Sequence, residues 1–246
     1  MDRSNPESIV AIRNPADDAT RWSLVAAAKG PAAAVALTEL CARYWCAAYA
    51  FMRRNGHPPH VAQELTTGFF RRLVHEHLDK LDPQRCGRFR EYLLQALNRA
   101  MADAWRSLRF DPEAQGIRPP LPVEILEDRF LAECGDHDTP EQAFENSFAQ
   151  TVVLRAFARL REETGNAGRT ALYERVEPFL HDEPRESDAA LVAAATGLGA
   201  FAAMLTLRSL RQRLRELVNA EIVQVVGDNQ ADPDLEHRTM RIVRPA

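Results

Sequence analysis

Apolar residues recur along the first part of the chain at the i, i+3, i+4, i+7 spacing of helices with one buried face. Leu37, Leu40, Cys41, Tyr44, Trp45, Ala48 and Phe51 form the first stripe, and Asn55-Gly56 supplies its C-terminal cap. His-Pro-Pro-His at 57 to 60 breaks the chain. A second helix is expected from Val61 to Leu78 with Leu65, Phe69, Leu73 and Val74 inward. After a short loop, Asp79 to Gly87, a third runs from Arg88 to about Leu108 and lines up Phe89, Leu93, Leu97, Met101 and Trp105. No segment alternates with a period of two, so the pattern predicts a mostly α protein.

The stretch DPEAQGIRPPLP, from Asp111 to Pro122, sustains neither a helix nor a central strand, and acidic residues continue to Asp138. It reads as a connector. Thr139-Pro140-Glu141-Gln142 then has the form of a helix start, launching an apolar face through Phe144, Phe148, Val152, Leu154 or Arg155, and Leu160. Further helices are expected over Arg169 to Leu180, after Ser187 and after Gly199. The last of them, through Leu205, Leu210, Leu214, Leu217 and Ile222, carries Arg208, Arg211, Arg213 and Arg215. Beyond Gly227 the tail is polar and expected to be loose.

Composition narrows the class. Of 246 residues 46% are hydrophobic and 27% charged, which excludes disorder and collagen. The net charge of −4 conceals an uneven distribution: residues 22 to 109 hold 13 basic against 7 acidic side chains, and residues 110 to 150 hold 2 against 10. The first body is basic, a feature of polyanion binders, and the connector is acidic. Cys41, Cys46, Cys86 and Cys134 contain no CxxC pair and read as reduced, mostly buried thiols. The first residues have no secretory pattern, so a cytoplasmic location is expected. From Ala189 to Leu207 no residue is charged, yet eight of these residues are Ala, and a buried helix pair is favoured over a membrane span.

RWSLVAAAKG, then ALTELCARYWCAAYAFMRRNGHPPHVAQELTTGFFRRLV, then RCGRFREYLLQALNRAMADAWRSL resembles region two of extracytoplasmic-function-type bacterial sigma factors, in the group that opens with a TRWSLV motif. That likeness spans residues 20 to 109. TPEQAFENSFAQTVVLRAFARLR and the closing LRQRLRELVNAEI are similar to region four of the same group. The resemblance implies an all-α fold with a region-two-like bundle at 21 to 109 and a region-four-like helix-turn-helix at 139 to 226. A short extension (1 to 20), a Pro-containing acidic linker (110 to 138) and a polar tail (227 to 246) complete the layout. It further implies a transcription initiation regulator with no catalysis and no cofactor, whose partners are core RNA polymerase and promoter DNA. An anti-sigma factor or a Ser/Thr kinase joins them as a candidate regulator, and no membrane is expected.

Carried over residue by residue, the resemblance places the acidic polymerase-contacting patch at Val61, Ala62, Gln63 and Glu64, where a single acid remains. Gln63, Glu64 and Thr67 are thus the expected core-polymerase contacts. Phosphate on Thr66 or Thr67 would restore negative charge there, while the plainer expectation is that both hydroxyls face solvent or bond back to the helix. The opened promoter strand would be held by Arg88, Arg90, Arg99, Arg106 and Arg109, with Trp105 stacking on a base or, more simply, filling the core. In the recognition helix, Gly199 to Leu207, Ala200 and Met204 stand where the group has Glu and Lys, so base readout is poor. Arg208, Arg211, Arg213 and Arg215 could still grip phosphates. A degenerate relative acting through protein contacts is the alternative, and a small membrane-associated helical protein a third. No catalytic motif occurs, and the His57/His60 and His75/His77 pairs are poorly placed for a metal.

Overall fold

The structure is a computed structural model that describes residues 33–73, 89–104, 118–180, 186–226 and 232–243. These form nine α-helices and one short 3-10 turn, with no strand among the described residues. In chain order they are α1 (Ala33–Arg54), α2 (Pro59–Arg72), α3 (Phe89–Ala104), α4 (Val123–Glu133), α5 (Pro140–Asn166), α6 (Thr170–Val176), the 3-10 turn Glu177–Phe179, α7 (Glu186–Thr196), α8 (Ala200–Val226) and α9 (Pro233–Val243).

α1 lies at the centre. The sequence predicts one buried face, but every residue from Arg43 to Met52 is buried, because α2, α4 and α5 all pack around it. A helix apolar on all sides belongs inside a core. Its end follows the expected cap: Gly56 takes φ +91°, and Asn55 Nδ2 donates to Phe51 O. Pro58 and Pro59 then start α2, since a proline at the first helical position loses no hydrogen bond.

Aromatic stacking joins the two halves of the sequence. Tyr44 on α1 stacks on Phe148 of α5 at 4.8 Å between ring centres and meets Phe89 of α3 edge-on at 5.4 Å. Trp45, fully buried, stacks on Phe70 of α2. Among the described residues the most extensive helix pairing is α1 against α5, and a single buried apolar cluster runs from Cys41 to Val243.

Two stretches differ from the sequence reading. Within the expected connector, α4 buries Leu126 and Phe130 against α1 and α5. Arg53 clamps it by donating to both carboxylate oxygens of Glu127, which also accepts from Tyr49 Oη. In the expected loose tail, Asp232 caps α9, accepting from Leu235 N, and Leu235, Thr239 and Val243 are buried, with α5 the main packing partner. α5 itself starts as the sequence predicts, with a capping box between Thr139 and Gln142.

Candidate polymerase and nucleic-acid interface

The expected polymerase contacts lie on α2, whose inner face buries Ala62, Leu65, Thr66, Phe69 and Phe70. Glu64 is exposed on the outer side, and Gln63 is half-buried, with Nε2 donating to Leu121 O at 3.4 Å. Thr67 Oγ1 donates to Gln63 O at 2.8 Å and Thr66 Oγ1 to Ala62 O at 2.7 Å. Thr66 is fully buried, so the candidate phosphorylation there is corrected: no kinase reaches it in this fold, and a phosphate would have to be accommodated inside the core. Thr67 is half-buried, with its hydroxyl already returned to its own helix.

The arginines expected to hold DNA separate into two groups. Arg90 is buried, with Nη2 2.6 Å from Asp232 and Nη1 3.2 Å from Glu145. Its charge is neutralised inside the molecule, which corrects its assignment as a phosphate contact. Arg211 is buried as well, donating through Nη2 to Phe179 O at 2.5 Å. Arg213 bridges Glu163 and Glu216 at 2.8 and 2.9 Å, contacts that push its pKa further up, while the same arginine holds the Glu216 carboxyl below its usual range. Arg215 is half-buried, 3.5 Å from Gln212 Oε1. Arg99 and Arg208 stand exposed, and among the described residues no carboxylate pairs with either. Arg88, Trp105, Arg106 and Arg109 lie outside the described residues.

Ala200 to Leu207, the stretch expected to read base edges, presents Phe201, Met204 and Leu205 to solvent. Its one polar side chain, Thr206, donates to Ala202 O. The preceding turn has Gly197 at φ +75°, a conformation that favours glycine, and bends α7 against α8 by 100°. Expected as a buried pair, these helices leave most of their uncharged segment in water; only Val192, Ala203 and Leu207 are buried within it. Among the described residues no single helix is long and apolar enough to cross a membrane.

The sequence did not flag a charge cluster at the junction of α1, α5 and α8. Glu221, 1% exposed, receives Arg159 at 3.1 Å, Arg155 at 3.2 Å and Arg43 at 3.6 Å, and Glu39 joins Arg155 at 2.9 Å. Of the two residues left open for the inner face of α5, Leu154 is exposed and Arg155 turns inward to this cluster. A second set links α4 to α1 and α5: Arg129 donates to Cys46 Sγ, Glu133 and Thr151, and Ser147 donates to Glu133. Burial raises the Glu133 carboxyl despite its arginine partner. Burial also pushes the Cys46 thiol up to about 11 and Cys41 and Cys134 to about 12, so all three are neutral rather than nucleophilic at physiological pH.

Among the described residues no group of three or more His, Cys, Asp or Glu side chains is arranged to hold a metal ion. No protein-family model, curated protein or solved structure matches the chain.

Proposed function

We propose that the chain is a degenerate sigma-like regulator that engages core RNA polymerase through protein contacts and does not read promoter DNA on its own. The resemblance of residues 20 to 109 to sigma region two suggests the partner, and the outward side of α2 with Gln63, Glu64 and Thr67 is the surface assigned to it. The observation that carries the reading is the fate of the arginines: Arg90, Arg211 and Arg213 spend their charge on partners within the fold. The segment in the recognition-helix position adds only Thr206, whose hydroxyl hydrogen is already donated to Ala202 O, as a polar side chain that could meet a base. A protein built to grip phosphates keeps such cations available, because released counterions supply the affinity.

The test combines pull-down with core polymerase and run-off transcription on a library of genomic fragments. Retention of core enzyme without promoter-dependent transcripts is the expected outcome, and Glu64→Lys lowers that retention. Discrete transcripts initiated by the purified chain and core enzyme overturn the reading in favour of a promoter-recognising initiation factor. Exposed Arg99 and Arg208 favour that second reading, and in that case Arg99→Gln and Arg208→Gln reduce both the transcript yield and its steep dependence on salt. No retention of core enzyme overturns both.

A further inference from the structure

The uncharged segment from Ala189 to Leu207 folds as an elbow whose side chains mainly face outward. Leu191, Leu198, Phe201, Met204 and Leu205 are exposed, with 71% of Phe201 and 56% of Leu191 in water. Phe201, Met204, Leu205 and Arg208 follow the i, i+3, i+4, i+7 spacing and share one face of α8. Apolar surface gathered in this way marks a place that something else covers.

Three observations select the cover. Thr196 and Thr206, the only hydroxyl side chains of the elbow, donate to Val192 O and Ala202 O. Apart from Arg208 at its edge, the elbow offers a partner protein no free side-chain donor, whereas protein interfaces carry about one hydrogen bond per 100 to 200 Å². The two helices meet at 100°, and by length and composition the pair has the apolar content of a membrane-associated segment although no single helix among the described residues does. The charge beside the corner is positive. Arg208 is exposed on the apolar face, and Arg169, also exposed, lines a cleft with Leu205, Thr206 and Ser209. Among the described residues no carboxylate pairs with either arginine, a combination that complements anionic headgroups above hydrocarbon.

We propose that the α7–α8 elbow docks on the surface of an anionic lipid bilayer, with Phe201, Met204 and Leu205 entering the boundary between headgroups and acyl chains. Arg208 and Arg169 rest on lipid phosphates, and the elbow lies in the interface without spanning it. This goes beyond the polymerase reading and does not depend on it.

The test sediments the full chain with vesicles of phosphatidylglycerol and phosphatidylcholine, and with phosphatidylcholine alone. Binding is expected to the mixed vesicles, and the double variant Phe201→Ser, Leu205→Ser lowers it by about tenfold or more while far-ultraviolet dichroism retains the helices. Arg208→Gln weakens binding to the anionic vesicles only. In Phe201→Trp, the emission gained over the parent chain is quenched by lipids brominated on their acyl chains. The proposal is overturned if neither vesicle retains the protein, or if the double variant binds as the parent does. It is equally overturned if the double variant instead dissolves a dimer detected by light scattering without lipid, since a second copy then covers the elbow. Retention of core polymerase is unchanged by the double variant, which keeps this result separate from the polymerase test.

Discussion

Glu221, itself nearly closed to water, gathers three guanidinium groups from two other helices, of which Arg43 is buried and Arg155 and Arg159 are half-buried. Replacing it with Ala leaves those cations without their shared anion, and because Arg43 and Arg155 keep Glu39 and the solvent screens Arg155 and Arg159, a loss of about 2 to 3 kcal/mol is expected, read from urea unfolding curves. Glu145 supplies a pH-dependent case. Burial, the largest influence, raises its pKa, Asp232 and Asp234 act in the same direction, and Arg90 and Arg238 oppose them. Protons therefore bind the folded form more tightly than the unfolded chain. The parent gains stability over Glu145→Gln as pH falls from above the raised value to below about 4.5, and loses that gain as pH rises again. Denaturant midpoints of both proteins across pH check the sign. Such residues also mark what the sequence could convey. Helical spacing set Thr66 within a turn of the buried Leu65 and Phe69, but Arg90 finds Asp232 142 positions away, a partner that no local pattern announces.

At the scale of elements, the stripe rule located α1, α2, α3 and α5, whose apolar positions are dense, and α2 and α5 also start at prolines. It failed at α4, where only Leu126 and Phe130 are buried, among Glu124, Glu127, Asp128 and Glu133 and directly after a proline-rich run. Charge masked a short one-sided helix. α9 was missed for a related reason: Leu235, Thr239 and Val243 sit at i, i+4 and i+8, but a polar composition made the tail look unstructured. If α4 is part of the core, then Phe130→Ala, which also removes the ring that Arg53 and Arg54 cover at 5.0 and 5.4 Å, costs about 3 to 5 kcal/mol. A midpoint unchanged by this substitution would mean that α4 is only a strap. Of the candidate site, α2's face was legible because spacing alone assigns faces, whereas the use made of the arginines was not, because it depends on which distant carboxylates arrive.

For the whole molecule, the two halves that composition divides into a basic body and an acidic connector share one buried cluster. α1 packs on α5 more extensively than on its own neighbour α2. Chemical unfolding is therefore expected to follow one cooperative transition, with tryptophan emission and far-ultraviolet dichroism superimposing. A fragment ending at Arg109 would expose Tyr44 and the α1 surface that α5 covers, and it is expected to unfold without a sigmoidal transition. Two resolved transitions in the full chain, or a cooperative fragment, would contradict a common core. Trp45 adds a practical corollary. Its indole is fully buried and stacked on Phe70 of α2, so loosening of α2 from α1 wets an optical gauge already in place, and the part of the red shift that Trp45→Phe removes reports that opening without any label.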